Sequence, residues 1–206
     1  MLKNSADLLR MRLRSIRETI PVAERQQLGA QLCARLQQWL EARREKQTLV
    51  GQVEPEIVAG FWPLADEPDL RSLFEYLHAQ GIVVALPLMV KKNHPLEFHV
   101  WRPGDPLIPG SFGVMEPIRG EVLQPTILLV PTLGFTEQAA RIGYGGGYYD
   151  RTLAQLSQTG QPFTTIGIAW DQGRIHSDEG YTPEAHDYPL DTVLTPSGWT
   201  PSMPPV

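Results

Sequence analysis

Cysteine is almost missing from this chain of 206 residues: Cys33 stands alone, which excludes an internal disulfide framework. With Leu28, Leu32, Leu36 and Leu40 near it at helical spacing, Cys33 reads as a core residue. An excess of positive charge is also missing. A formal net charge of −5 argues against a general nucleic-acid binder, which would carry a basic face. No apolar run approaches the length of a bilayer span, and the charged N-terminal stretch has none of the apolar character of a signal peptide; a cytoplasmic location without a membrane partner is expected. The histidines, His78, His94, His99, His176 and His186, show no H-E-x-x-H spacing and no cysteine partner, so a zinc site is not expected.

Glycine, by contrast, is concentrated where it carries chemistry. Arg141-Ile-Gly-Tyr-Gly-Gly-Gly-Tyr-Tyr-Asp150 has glycines at 143, 145, 146 and 147 just before an expected helix. Without Cβ atoms the backbone reaches positive φ and lets consecutive amides converge on an anion, to which the helix adds the positive end of its dipole. The alternative is a flexible hinge. Neither G-x-G-x-x-G nor G-x-x-x-x-G-K-[ST] fits, because residues 131–140 separate the glycines from the preceding apolar run. Arg141 and Arg151 bracket the loop with fixed positive charge, and Asp150 is the hard oxygen ligand that suits Mg²⁺ beside phosphates, so nucleotide binding is the leading hypothesis.

The rest of the chain alternates strands with helices. Leu9, Leu13, Ile16 and Ile20 make one helical stripe that ends at Pro21, and Arg10, Arg14 and Arg17 follow similar steps on another face. A second helix covers 23–44, a third runs from 66 to 80 with Gly81 as its stop, and a fourth begins at 148. Strands are expected at 57–62, 82–86, 96–101, 126–130, 164–170 and 192–194, with a long loop at 102–117 and an irregular segment at 171–189. The pattern predicts an α/β chain: a mostly parallel sheet covered on both faces, with an N-terminal helical pair, and ligands at the carboxyl ends of the strands. One domain over 1–195 and a disordered Pro/Ser tail over 196–206 complete the reading.

These residues resemble a known family. The glycine loop, together with Leu128-Leu-Val-Pro-Thr-Leu-Gly-Phe135, Asp191-Thr-Val-Leu194, Phe61-Trp-Pro-Leu-Ala-Asp-Glu67, Ala85-Leu-Pro87, Leu96-Glu-Phe98 and Phe112-Gly-Val-Met-Glu-Pro117, is similar to 5-formyltetrahydrofolate cyclo-ligases, also called methenyltetrahydrofolate synthetases. The resemblance implies a three-layer α/β/α, Rossmann-like fold, ATP as co-substrate, Mg²⁺ as cofactor, and conversion of 5-formyltetrahydrofolate, polyglutamylated or not, to 5,10-methenyltetrahydrofolate. It implies phosphorylation of the formyl oxygen followed by attack of N10, with no nucleic-acid or obligatory protein partner. ATP contacts then fall on Arg10, Arg14, Arg141, Ile142, Gly143, Tyr144, Gly145, Gly146, Gly147, Tyr148 and Tyr149. Folate contacts fall on Trp62, Glu67, Tyr144, Gly145, Gly146, Gly147 and Tyr148. Arg141 and Asp150 carry catalysis, and the metal ligands are Asp150 and Asp191.

Several positions admit a plainer reading. Glu67 precedes Pro68 and an expected helix start, where it could compensate a helix dipole. Trp62 could be ordinary core, Tyr148 and Tyr149 helix packing, and the arginine stripe a solvated face. Relatives usually carry Lys four residues before an Arg in the first helix; one register sets Ala6 and Arg10 there, with Lys3 as a substitute cation, and another sets Arg10 and Arg14. Tyr144 and Gly146 stand where some relatives have Arg and Lys. A folate- or nucleotide-binding protein without turnover, or another phosphate-binding α/β enzyme, is the alternative function.

Overall fold

The computed structural model describes residues 5–51 and 55–206. The chain opens with α1 (Ser5–Glu18) and α2 (Val22–Leu49), joined by a sharp turn with Pro21 at the N-cap position of α2. Helix α2 buries Leu32, Cys33, Leu36, Trp39 and Leu40, and it continues past residue 44 through Glu45, Lys46 and Gln47. These are strong helix formers, exposed at Glu45 and Lys46 and half-buried at Gln47, so no apolar stripe announced the extra turn.

Strand β1 (Ile57–Ala59) leads through a loop to α3 (Arg71–Ala79), which ends as expected at Gly81 in a left-handed conformation. The helix does not begin at residue 66: Asp69 Oδ1 accepts the Arg71 N–H at 3.0 Å, which leaves 66–70 as a turn. There follow β2 (Val83–Leu88), β3 (Glu97–Trp101), β4 (Leu107–Pro109), β5 (Met115–Pro117) and β6 (Val122–Leu123). The segment expected as a long loop at 102–117 thus contains a β4–β5 hairpin, too short in each arm to show an alternating pattern. Then come β7 (Ile127–Pro131), β8 (Gly134–Phe135), β9 (Arg141–Ile142), α4 (Tyr148–Ser157), β10 (Thr164–Ile168), β11 (Thr192–Thr195) and β12 (Gly198–Thr200).

The main sheet has the order β12-β11-β10-β7-β1-β2-β3-β6, and its inner strands β11, β10, β7, β1 and β2 run parallel. Side chains alternate between two cores. Val58, Val84, Leu86, Ile127, Leu129, Ile166 and Leu194 face α2 and α3, while Ala59, Ala85, Leu128, Val130 and Val193 face Leu153 of α4. This is the α/β layering that the sequence predicts. Counted along the parallel strands alone, the order is the doubly wound 2-1-3-4-5 type, whose winding reverses between β1 and β7 and opens a crevice at their carboxyl ends.

Residues 196–206 depart from the expected disordered tail. β12 pairs antiparallel with β11, the Trp199 ring lies 6.0 Å from Trp39, and the Trp39 indole N–H donates to the Pro204 carbonyl at 3.0 Å. A Pro/Ser-rich composition concealed Trp199 and Val206, two apolar anchors that pack on the α2 side of the core.

Candidate active site

A cavity of about 1290 Å³ opens at the β1/β7 crevice, roofed by α1 and walled by the glycine loop, the loop after β1 and the β4–β5 hairpin. It draws together every ATP, folate and catalytic candidate and one metal candidate, leaving out Asp191: Arg10 and Arg14 from α1, Trp62 and Glu67 after β1, and the continuous segment 141–150.

The loop takes its shape from its glycines. Gly145 and Gly147 have φ of +86° and +63°, where an L side chain is strained, and a Cβ on Gly147 would lie 2.6 Å from the Arg151 guanidinium. Gly147 is the N-cap of α4 and provides no side-chain cap, so the first amides of that helix keep their donors for a ligand. Arg141 is buried; it bonds Asp150 Oδ1 at 2.7 Å and stacks 5.9 Å from the Tyr149 ring. Asp150 Oδ1 also accepts the Tyr188 N–H at 3.3 Å, and the Tyr181 hydroxyl donates to the Arg141 carbonyl at 2.9 Å. Burial, with Asp187 nearby, pushes the Tyr181 phenol up to about 12, so it stays a donor at neutral pH. Arg151 holds the Gly146 carbonyl at 2.8 Å and lies 5.0 Å from the Tyr148 ring, which meets Phe112 edge-on at 6.1 Å.

Three buried polar atoms of this wall have no hydrogen-bond partner among the described residues: Arg141 Nε, Arg151 Nε and the Tyr149 hydroxyl. Two cationic donors and a phenol left unpaired beside uncapped amides are what a polyanion would satisfy.

Across the cavity, Glu67 is not a helix-terminal charge. Its Oε2 accepts the Leu64 N–H at 2.8 Å and its Oε1 accepts the Tyr144 hydroxyl, with Arg17 Nη1 at 3.8 Å from the same oxygen. Burial raises its carboxyl above the ordinary glutamate value, opposed by the Tyr144, Leu64 and Arg17 contacts. Trp62 is half-buried, edge-on to Trp101 at 5.6 Å with Arg71 over its face, so it serves the core and the cavity together.

Both arginine registers reach the site. Arg10 donates to the Gly143 carbonyl at 3.2 Å and packs on Gly145, whereas Arg14 sits 5.2 Å above the Tyr144 ring. Ala6 also lines the cavity; Lys3 lies outside the described residues.

Asp191 is the exception, and the reason is register. It precedes β11 and pairs back to β10, where its Oδ2 accepts the Thr165 N–H at 2.7 Å and the Thr165 hydroxyl at 2.8 Å. That position is on the amino-terminal side of the strands, whereas Asp150 lies in the first turn of α4 at the carboxyl ends. The two carboxylates do not meet.

Two further residues belong to the site. Arg17 was visible as the third member of the arginine stripe, but spacing alone did not say which face turned inward. Glu116 lines the cavity as a largely buried carboxylate that accepts the Met89 and Ser111 N–H groups, and burial raises its carboxyl. A Cβ on Gly110 would come within 2.2 Å of it.

The chain is 30% identical over 198 residues to the 5-formyltetrahydrofolate cyclo-ligase of Escherichia coli K12, covering 90% of this chain and 97% of that protein. It is 32% identical over 156 residues to the enzyme of the same name from Mycolicibacterium smegmatis, covering 70% and 76%. Among solved structures, the Aquifex aeolicus 5,10-methenyltetrahydrofolate synthetase superposes with a TM-score of 0.73 at 23% identity, covering 98% of this chain and 95% of that one. The 5,10-methenyltetrahydrofolate synthetase of Mycoplasma pneumoniae gives 0.63 at 21%, covering 93% and 98%. At those identities the superpositions establish the fold. The profile of the 5-formyltetrahydrofolate cyclo-ligase family matches residues 2–196, and the chain therefore belongs to that family of ATP-dependent ligases.

Proposed function

We propose that the protein converts 5-formyltetrahydrofolate to 5,10-methenyltetrahydrofolate with consumption of ATP and release of ADP and phosphate. The observation that carries this reading is the facing of two subsites in one cavity. An uncapped glycine loop with unpaired cationic donors lies opposite a buried carboxylate with spare acceptor capacity.

The chemistry needs both subsites. A formamide oxygen is a poor leaving group, so the γ-phosphoryl group of ATP is transferred to it first; N10 then attacks the formyl carbon and gives up its proton to solvent, and the C–O bond to phosphate breaks as the methenyl bridge forms. Phosphoryl transfer asks mainly for positioning and positive charge, which Arg141, Arg10, Arg14 and the loop amides supply. Glu67 spends one acceptor site on Leu64 and one on Tyr144, and a carboxylate has about four. The remaining two suit the parallel N–H donors of a reduced pterin, and Trp62 packs beside them.

The donor set of Asp150 suits magnesium. Oδ1 is taken by Arg141 and Tyr188, which leaves Oδ2, and Mg²⁺ is ordinarily held by one or two carboxylates with phosphate oxygens. No group of three or more His, Cys, Asp or Glu among the described residues could hold a metal by itself, so the ion would come with the nucleotide. When bound it would neutralise charge on the transferred phosphoryl group.

Purified protein with folinic acid, ATP and magnesium should develop the near-ultraviolet absorbance of the methenyl product and release stoichiometric ADP. Folate binding without ATP consumption would reject the ligase reading in favour of a binding protein.

A further inference from the structure

Arg17 is the most deeply buried arginine of α1, at 7% exposure. Nε donates to Asp66 Oδ2 at 2.7 Å, a pairing that would by itself offset much of the cost of burying the charge. The guanidinium does more than that. Nη1 donates to the Tyr144 hydroxyl, and the Tyr144 hydroxyl donates to Glu67 Oε1. A phenol has a single proton, so with Arg17 donating to its oxygen that proton is directed at Glu67. The carboxylate is then fixed from two sides, by Tyr144 on Oε1 and Leu64 on Oε2.

The two ends of this chain of bonds belong to different subsites. Tyr144 is part of the glycine loop that follows β7, and Glu67 belongs to the loop that follows β1 on the other side of the crevice. Seventy-seven residues separate them along the backbone, yet one hydrogen bond joins them. Arg14 and Arg17 also cover the Tyr144 ring at 5.2 and 5.4 Å, so α1 holds the tyrosine by face and by hydroxyl.

We propose that Arg17 is a positioning residue which, through the Tyr144 hydroxyl, aligns Glu67 for the pterin and couples that carboxylate to the glycine loop, so that folate and nucleotide each tighten the binding of the other. This rests on the assignment of Glu67 to folate and of the loop to ATP. Folate seated on Glu67 holds Tyr144, and with it the amides that face the phosphates; nucleotide on the loop holds Tyr144, and with it the carboxylate. By linkage the two effects are equal.

The test measures the Kd of 5-formyltetrahydrofolate by calorimetry with and without Mg²⁺ and a non-hydrolysable ATP analogue, and the Kd of the analogue with and without folate. In the wild type each ligand should lower the Kd of the other by the same factor, about fivefold or more. Tyr144→Phe keeps the ring beneath the arginines and removes only the hydroxyl. Its coupling factor should fall to about one, whatever change the lost hydroxyl makes to the affinity of either ligand alone. Arg17→Lys, which keeps the charge and loses the fork, should lose part of the coupling, and Arg17→Lys combined with Tyr144→Phe should be no worse than Tyr144→Phe. Undiminished coupling in Tyr144→Phe, or additive effects in the double variant, overturns the inference, and Tyr144→Phe decides the matter if the arginine variants do not fold. A wild type that turns over but shows no coupling overturns this inference alone. One that binds neither ligand overturns the proposed function with it.

Discussion

Replacing Glu67 with glutamine tests the folate subsite with little change of shape. The carboxylate is 7% exposed and already accepts the Leu64 N–H at 2.8 Å and the Tyr144 hydroxyl. Two acceptor positions remain for the pterin donors. An amide keeps one oxygen and turns two N–H groups toward donors, so at least one charge-assisted bond is lost, worth about 1.5–3 kcal/mol. Folate Kd should therefore rise about 10- to 150-fold. The ATP analogue, bound alone, should keep its Kd within about twofold, because Glu67 touches the loop only through Tyr144. Calorimetric titration of each ligand separately reads both numbers. Wild-type folate affinity in Glu67→Gln, or a larger loss for nucleotide than for folate, would refute the assignment. The pH dependence provides a second readout. Burial raises the Glu67 carboxyl above its ordinary value of about 4.5, and folate needs the ionised form, so affinity is full above the raised value and falls as pH drops through it. Stability runs the other way: the contribution of neutral Glu67 is present below the unfolded value and is lost as pH rises through the folded one. Glu67→Gln should flatten both curves.

Four further outcomes are expected. Asp191→Ala removes two hydrogen bonds between β10 and β11 and should cost about 1–3 kcal/mol in denaturant melts; the Mg²⁺ dependence of turnover should be unchanged, whereas Asp150→Ala should lower kcat by about 100-fold or more. An alanine at Gly147 meets a φ of +63° and should cost about 1–2 kcal/mol of stability and weaken nucleotide binding, with folate alone little affected. Truncation after Thr195 strips Trp199 from Trp39 and orphans the Trp39 indole N–H, so urea melts should show a loss of about 2–4 kcal/mol; an unchanged midpoint would mean that the tail contributes nothing to the core. Burial pushes the Cys33 thiol up to about 11 from 9.0, so its stabilising effect is present below pH 9 and is lost between 9 and 11; a thiol reagent at pH 8 should label Cys33 only after denaturation.

The inner strands and the glycine loop could be read from the chain because each announces itself locally, as an apolar run or as a cluster of glycines that only an unusual backbone requires. The features that escaped depend on distant partners. Arg17 looks like any member of a helical charge stripe until Asp66 and Tyr144 close over it. Asp191 stands just before an expected strand, but only the β10–β11 register shows that it bonds Thr165 at the amino-terminal side of the sheet. The last residues have the composition of a flexible tail, and two apolar side chains among the prolines reverse that expectation. Glu67 was identified through its surrounding motif, while its reach across the crevice to Tyr144 required the fold.

The dependence of the glycine loop on α1 has a wider consequence. Arg10 tethers the Gly143 carbonyl and Arg17 the Tyr144 hydroxyl, from a helix more than a hundred positions earlier in the chain. A fragment carrying the whole signature from 141 to 150 but lacking that helix would spell the motif correctly and leave it slack. The signature is best understood as half of a two-part device whose other half is written in helix α1.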